Sequence, residues 1–294
     1  MPQQNNKLQR AKNTKNDEFY TPLEAIEKEL GFYGDYFKDK IVLCNCNDAV
    51  YGDFKKYFMI HFKELGLKLL ITTAYGNEDE NGYAEIYDGT HVITQCFNGK
   101  GDFRNDYMIN LLKIADVVVT NPPFSLFIPF FNQLIEYNKD FIVLGLNMVI
   151  TYKDIFPHIK NGDVRLGATV DKGDGIFFIP NNKENSQHIS AYWYTNVKHN
   201  GKPLKLNLTK RYNEIDYPKY DNFDAINVDR SKDIPIDYDG LIGVPISYYK
   251  YLDRDIFEIM GVSKTAVGFP NKLLINGKEK FVRLFIRRKK NDNL

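Results

Sequence analysis

A run of β-branched residues that ends at two consecutive prolines constrains the fold of this chain more than any other stretch. Val117–Val119 lead through Thr120 into the tetrapeptide Asn121-Pro122-Pro123-Phe124. An uninterrupted β-branched run is typical of a strand buried on both faces, as in a parallel sheet. That strand must end at Thr120 or Asn121, because proline has no N–H to donate to the ladder. The sequence therefore predicts a polar and aromatic turn at a strand's carboxyl end, the edge at which open α/β sheets bind ligands.

The tetrapeptide carries groups that suit the exocyclic amine of a nucleobase. The side-chain oxygen of Asn121 and the carbonyl of Pro122 can each accept one N–H of the amine, which aims the nitrogen lone pair at an incoming methyl group. Phe124 can stack on a base that has left its neighbours. The pattern is similar to the (Asp/Asn/Ser)-Pro-Pro-(Tyr/Phe/Trp) motif of amino-methyltransferases. The structural alternative is a proline-rich turn after a core strand.

Strands and helices alternate over the first 150 residues, which predicts a doubly wound α/β domain with a mostly parallel, Rossmann-like sheet. Thr21-Pro22-Leu23-Glu24 fits a capping box that opens the first helix, whereas the acidic, aperiodic residues 76–90 predict a loop. Further helices are predicted from Phe54, Tyr107 and Ile128. Strands are predicted at 40–44, 68–73, 92–96, 117–119 and 141–146.

The pattern changes after residue 150, and we expect a boundary near residue 198. Strands are predicted at 164–168, 175–179 and 188–197, and Asn200-Gly201 is a signal for a type I′ hairpin. Residues 199–294 are predicted to form a smaller, irregular, β-containing domain. Residues 1–16 have no periodic apolar positions and carry basic residues without an acid, so we expect a flexible basic arm.

Composition sets further bounds on the class of protein. The 294 residues are 43% hydrophobic, enough for a sizeable core, and no run approaches the length of a membrane span. A polar N-terminus without an apolar segment predicts no secretory signal. The three cysteines, Cys44, Cys46 and Cys96, cannot build a disulfide framework. We therefore expect a cytoplasmic protein that does not span a membrane.

Charge is segregated along the chain, although the net charge is only +1. Basic residues dominate 1–16, 197–212 and 278–290, and acids crowd 78–88 and 214–239. Such segregation is compatible with a surface that faces phosphates, and solvated basic tails are the alternative.

Two further groups of residues are candidates for ligand binding. The loop after the first strand has no Gly-x-Gly to cradle a pyrophosphate, and it offers Asn45, Asn47 and Asp48, which suit a charged amino-acid moiety. We expect no metal site, because Cys44-x-Cys46 lacks a second Cys/His pair at zinc spacing. Asp102-Phe103, at the expected end of a neighbouring strand, can bind an adenine amino group and cover its ring. The alternative is an ordinary aspartate at a helix start.

Five segments, in this order along the chain, resemble the EcoRI-type family of adenine-specific DNA methyltransferases: Asp17–Thr21, Val42–Asp48, Gly101–Arg104, Val118–Phe127 and Gly243–Ile246. The resemblance spans nearly the whole chain. It implies S-adenosylmethionine as the methyl donor and adenine N6 in double-stranded DNA as the acceptor.

The resemblance also implies roles for individual residues. Contacts to the methionine part of the cofactor are implied for Tyr20, Thr21 and Pro22. The loop beneath the cofactor is implied to consist of Asn45, Cys46, Asn47 and Asp48. Asp102 and Phe103 would hold its adenine, and the flipped base would lie against Asn121, Pro122, Pro123 and Phe124. Two departures from the usual methyltransferase pattern are the absence of a glycine loop at 47–52 and of an acid at Thr73-Ala74-Tyr75.

Together, these features predict a sequence-specific DNA adenine-N6 methyltransferase, either solitary or paired in function with a restriction endonuclease. Residues 17–198 would be the S-adenosylmethionine-dependent domain and residues 199–294 the target-recognition region, in a chain that we expect to be a monomer. Related motifs also serve RNA adenines and protein glutamine amides, so those acceptors are alternatives. A non-catalytic nucleic-acid-binding protein is a further alternative, but it would be expected to have a damaged tetrapeptide, which is intact here.

Overall fold

A computed structural model of the protein describes residues 21–47, 52–76, 81–170, 175–179 and 182–289. The chain divides into two compact units, one formed by Met1–Leu146 with Arg165–Gly201 and the other by Asn147–Val164 with Lys202–Leu294. The chain therefore contributes residues 147–164 to the second unit, returns to the first unit for residues 165–201, and belongs to the second unit from residue 202 onwards. The functional roles expected for the regions on either side of residue 198 stay predictions.

The first unit contains a large sheet and its connecting helices. The described helices are α1 (Leu23–Leu30), α2 (Asp53–Ile60), α3 (Asp106–Ile114) and α4 (Phe127–Glu136). The described strands are β1 (Ile41–Asn47), β2 (Leu69–Ala74), β3 (Tyr83–Tyr87), β4 (Val92–Cys96), β5 (Val117–Thr120), β6 (Asp140–Leu146), β7 (Arg165–Leu166), β8 (Gly175–Ile179), β9 (Asn182–Ile189) and β10 (Ala191–Thr195). Strands β8 and β9 pair with each other as a separate antiparallel ribbon.

The large sheet has eight strands in the order β4-β3-β2-β1-β5-β6-β10-β7. The four central strands, β2, β1, β5 and β6, are parallel. Antiparallel strands flank them on both sides. The chain leaves β1 towards β2 and later returns to the other side of β1 with β5, so the order of strands switches between β1 and β5. The predicted α/β class is confirmed, and the switch lies where such sheets bind ligands.

Burial explains why β5 is central. Val117, Val118, Val119 and Thr120 are each 0% exposed, and the strand ends at Thr120, as the prolines require. Burying one valine side chain stabilises a fold by about 1.5–3 kcal/mol. The strand therefore fixes the tetrapeptide at the carboxyl edge of the sheet.

Three local predictions are wrong. Residues 83–87 form β3 rather than part of a loop, because this short segment pairs along its whole length with β2. Asn200-Gly201 forms no hairpin: residues 198–213 contain no strand, and the Asn200 amide donates to the Phe32 carbonyl instead. The capping box at Thr21 is also absent. Pro22 is the N-cap of α1, and the Leu23 amide donates to Asp53 Oδ2 at 3.1 Å.

The second unit contains a smaller sheet and one described α-helix, α5 (Phe156–Asn161). Its strands are β11 (Lys219–Tyr220), β12 (Phe223–Asn227), β13 (Ile242–Pro245), β14 (Phe257–Val262), β15 (Leu274–Ile275), β16 (Lys278–Glu279) and β17 (Arg283–Arg288). Five of them form a sheet in the order β11-β12-β13-β17-β14, and β15 pairs with β16. A core cluster of Tyr220, Ala225, Leu273, Ile275 and Phe285 packs on this sheet. Across the part of the chain that the structure describes, no helix has the length and apolarity needed to cross a membrane.

Candidate active site at the carboxyl edge of the large sheet

The site begins where β1 and β5 end side by side. Val42 and Leu43 of β1 lie opposite Val117 and Val118 of β5 in parallel register. Beyond this pairing, the Thr120 hydroxyl donates a buried hydrogen bond to the Asn45 carbonyl. This bond ties the two strand ends together, so the loop after β1 and the tetrapeptide after β5 are neighbours.

Asn121 is held from the other side by the segment that precedes α1. Its Nδ2 donates to Thr21 Oγ1 at 3.2 Å, and Thr21 is only 6% exposed. Because Nδ2 is directed at Thr21, the amide oxygen lies on the opposite branch of the side chain. Thr21 and Asn121 were both predicted site residues, and the structure brings them into direct contact.

The tetrapeptide passes directly into helical structure. Phe124–Leu126 form one 3₁₀ turn, the Leu126 amide donates to the Pro123 carbonyl at 2.9 Å, and α4 follows. Pro122 is buried, and Phe124 is 6% exposed as part of the core cluster between the sheet and its helices. The turn is therefore held both by packing in the core and by a backbone hydrogen bond. The predicted stacking of Phe124 on a base stays a prediction.

The end of β1 has an unusual backbone. Cys46 has a φ of 59°, in the left-handed region, and the register with β2 is irregular between Cys44 and Asn47. A non-glycine residue in that region costs about 1–3 kcal/mol and is often found at functional sites. Asn45 is 2% exposed, and its Oδ1 is buried with no hydrogen-bond partner among the described residues. A buried acceptor of this kind fits a ligand that brings an N–H donor.

Two predicted residues cannot be placed, because Tyr20 and Asp48 lie outside the described residues. Pro22 lies between Thr21 and the first residue of α1, and Asn47 is the last residue of β1, opposite Ala74 of β2.

Asp102 and Phe103 lie in the loop between β4 and α3. Asp102 Oδ1 accepts from both the backbone amide and Nε of Arg104, at 2.9 and 2.8 Å. These bonds hold the pKa of the Asp102 carboxyl below its usual value, so it is ionised at neutral pH. Phe103 is 5% exposed, with its ring edge-on to Phe130 of α4 and the Arg104 guanidinium 5.3 Å from its centroid.

This loop does not follow a strand adjacent to β5, as the sequence predicted, because β4 is at the edge of the sheet. Instead, the loop returns towards the centre. The Gly76 amide, just after β2, donates to the Lys100 carbonyl at 2.9 Å, and Gln133 Nε2 of α4 donates to the Phe103 carbonyl at 3.0 Å. Asp102 and Phe103 are thus anchored both to the end of β2 and to the helix after the tetrapeptide.

Several contributors to the site were not predicted. Thr120 ties β5 to β1, Asp53 of α2 fixes the start of α1, and Gln133 holds the Asp102 loop. An amide on an otherwise apolar helix face, such as Gln133, does indicate in the sequence that the side chain has a hydrogen-bond partner, because a buried polar group requires one. The partner itself lies 30 residues away and has no local signal.

Comparisons with known proteins agree over almost the entire chain. The family model described as "Adenine-specific methyltransferase EcoRI" matches residues 7–291. The chain is 39% identical to the Type II methyltransferase M.EcoRI of Escherichia coli, over 97% of each protein. It is 35% identical to the Type II methyltransferases M.MgeORF184P of Mycoplasma genitalium, over 95% of this chain and 98% of that one, and M.MpnI of Mycoplasma pneumoniae, over 96% and 98%. No solved structure shows a significant match. The sequence resemblance is thus confirmed, and the chain belongs to the EcoRI-type family of adenine-specific DNA methyltransferases.

Proposed function

We propose that this protein transfers the methyl group of S-adenosylmethionine to N6 of an adenine that is flipped out of double-stranded DNA at a specific sequence. The observation that carries the proposal is the intact tetrapeptide at residues 121–124, held at the carboxyl end of β5 beside the end of β1. Flipping is required because N6 cannot be reached by an active site while the base is stacked and paired.

Asn121 and Pro122 would hold the target amine. The Asn121 amide oxygen and the Pro122 carbonyl each accept one N6 hydrogen, which aims the nitrogen lone pair away from the ring plane and at the methyl donor. The contact with Thr21 supports this role, because a hydroxyl that accepts from Nδ2 leaves the oxygen, not the NH₂ group, to meet the amine. Phe124 at the end of the tetrapeptide would support the ring of the base.

The cofactor would lie along the neighbouring strand ends. Asn45 Oδ1, buried without a partner among the described residues, fits the ammonium group of the methionine part. Thr21, Pro22 and the loop from Cys46 to Asp48 would complete that side, together with Tyr20. Asp102, ionised and anchored by Arg104, fits the amino group of the adenosyl base, and Phe103 would cover the ring of that base. When bound, the sulfonium of S-adenosylmethionine supplies an electrophilic methyl group.

The residues of this site have positioning and electrostatic roles rather than acid–base roles. Direct displacement by a nitrogen lone pair needs no base before the transfer, and the proton can leave to water afterwards. Alignment of the amine and exclusion of water are what Asn121, Pro122 and the buried strand ends would contribute.

Recognition of the DNA sequence would fall to residues 199–294, with the basic arm at 1–16 adding phosphate contacts. The protein would act as a cytoplasmic monomer, either alone or beside a cognate restriction endonuclease that cuts the same site. The relatives are named Type II methyltransferases, which supports a DNA substrate over an RNA adenine or a protein glutamine. The intact tetrapeptide supports an enzyme over a non-catalytic binding protein.

The test is to incubate the protein with labelled S-adenosylmethionine and genomic DNA, total RNA or protein, and then to identify the modified residue. We expect label in N6-methyladenine from DNA, and sequencing of the methylated positions would give the recognition site. Label found only in RNA or protein would overturn the proposal.

A further inference from the structure

The long connection between β14 and β17 projects from one end of the second unit's sheet. The two strands are antiparallel neighbours, with Val262 opposite Leu284. Ser263 and Arg283 extend the pairing: the Ser263 amide donates to the Arg283 carbonyl at 3.0 Å, and the Arg283 amide donates to Ser263 Oγ at 2.9 Å. Residues 264–282, called here the β14–β17 connection, are therefore the long loop of a β-hairpin. The loop starts at the end of β14 and finishes at the adjacent start of β17.

The backbone of this connection is anchored at several points. Within the first half, the Phe269 ring packs 5.1 Å from that of Phe285, and the Lys264 amide donates to the Pro270 carbonyl at 3.2 Å. In the second half, the Asp221 carboxylate accepts from the backbone amides of Asn276 and Gly277, at 3.1 and 2.8 Å.

Two apolar side chains nevertheless project from this anchored backbone into solvent. Val267 is 95% exposed and Phe281 is 68% exposed. Burying such a side chain against a partner would be favourable by about 25 cal/mol for each Å² of apolar surface removed from water. Single exposed apolar residues are common on protein surfaces, so the charges around Val267 and Phe281 decide what these side chains could contact.

The charge of the connection indicates the kind of partner. It contains four lysines and one glutamate, a net charge of +3. Lys272 and Lys280 lie 3.8 and 3.4 Å from the carboxylates of Glu279 and Asp229. Lys264 and Lys278 are exposed, and neither forms an ion pair with any residue that the structure describes. The connection therefore carries both exposed cations that form no ion pair with the described residues and exposed apolar side chains, which is the composition that meets the phosphates and the stacked bases of nucleic acid.

Another loop of the same unit provides a contrast. Ile215 is 94% exposed, but it lies between Glu214 and Asp216. An apolar tip flanked by carboxylates would be repelled by a phosphate backbone. The two loops thus share the exposed aliphatic residue and differ in the sign of the charge around it.

We propose that the β14–β17 connection docks on double-stranded DNA, with Lys264 and Lys278 against phosphates and Val267 inserted against the base steps. The inference rests on the proposed function and assigns its DNA contact to a specific surface. Binding would be favoured in two ways. The lysines would release counterions that are condensed on the DNA phosphates, and the inserted apolar side chain would be removed from water.

The first test measures binding of the full-length protein to a fluorescein-labelled duplex of mixed sequence, about 30 base pairs long, as salt is varied. The Lys264→Ala/Lys278→Ala variant should lower the slope of log K against log salt by about 1.8, because each phosphate contact contributes about 0.9. The control is Lys63→Ala/Lys68→Ala, in which both exposed lysines precede β2 and so lie towards the amino edge of the large sheet. An unchanged slope in the first variant, or an equal loss in the control, would overturn the proposal.

The second test measures methylation of genomic DNA. Val267→Ser should raise KM for DNA by roughly tenfold with little change in kcat, because the lost apolar contact is about the size of one buried valine. Ile215→Ser should leave KM unchanged. All four side chains changed in the second unit are exposed, so the variants are expected to fold. If the natural protein methylates DNA and Val267→Ser has the same KM for DNA, the docking surface is wrong while the proposed function stands. If the natural protein methylates no DNA, the proposed function itself fails.

Discussion

The side-chain nitrogen of Asn121 donates to the hydroxyl of Thr21 at 3.2 Å, across 100 residues of sequence. Thr21 precedes the first helix, and Asn121 follows the central strand of the sheet. The contact therefore joins a residue expected to bind the cofactor to the residue expected to bind the target amine. In the proposed role, it would also select which end of the Asn121 amide meets that amine.

Thr21→Val should lower kcat by about five- to tenfold at saturating cofactor, because one hydrogen bond that orients the amide contributes about 1 kcal/mol. Thr21→Ser keeps the hydroxyl and should stay within about twofold of the natural protein. Steady-state kinetics on DNA would separate the two roles of this residue. A Val variant with a raised KM for the cofactor and an unchanged kcat would mean that Thr21 contacts the cofactor but does not orient Asn121.

Asn121→Ala should abolish methyl transfer and leave cofactor binding largely intact, because the alanine cannot accept a hydrogen of the amine. Activity would be followed by label transfer to DNA, and cofactor binding by isothermal titration calorimetry. Loss of cofactor binding with retained transfer would contradict the role assigned to this side chain.

Asp102→Asn should weaken cofactor binding by about tenfold or more, since a hydrogen bond to a charged group contributes about 1.5–3 kcal/mol. Asp106→Asn, an exposed residue four positions along the same segment, is the matched control and should bind the cofactor normally. Equal affinities of the two variants for the cofactor would mean that Asp102 does not contact the cofactor.

The pH dependence of that contact follows from the lowered pKa of Asp102. Because the pKa of Asp102 in the folded protein lies below its ordinary value, the carboxylate keeps its charge, and with it the expected contact to the cofactor, until the pH falls through that lowered pKa. Cofactor affinity that depends on Asp102 should therefore be constant from about pH 5 to 8. Arg104→Ala should raise the pKa of Asp102 towards its ordinary value, which NMR titration of the carboxyl carbon would detect.

Glu29→Gln should lower the free energy of unfolding by about 2–4 kcal/mol. Glu29 is fully buried on α1, and its carboxylate accepts from the Tyr33 hydroxyl and from the backbone amides of Ala168 and Thr169, each at 2.8 Å. A glutamine would place an NH₂ group against one of these donors. Urea unfolding followed by circular dichroism would measure the loss, with the exposed Glu27→Gln on the same helix as the control. Equal stability of the two variants would contradict the buried network.

The local elements were predictable where periodicity and proline act within a few residues. β5 ends at Thr120 because the next two residues lack an N–H, and the apolar spacing of α4 was visible in the sequence. β3 was missed because Tyr83–Tyr87 is only five residues long and lies in an acidic stretch, and its pairing with β2 on one side and β4 on the other has no local signal. The cap of α1 was missed for a similar reason: Asp53, 30 residues away, satisfies the Leu23 amide.

The sequence by itself determined the α/β alternation, the buried strand that ends in Asn-Pro-Pro-Phe, and the family to which the chain belongs. Those properties depend on side-chain spacing and on backbone groups within single segments. Only the tertiary structure decided that Thr21 meets Asn121, that Thr120 meets Asn45, and that the Asp102 loop returns from the sheet edge to α4. Such contacts depend on which strands become neighbours, because a hydrogen bond between distant residues leaves no periodic signal in the sequence that encodes it.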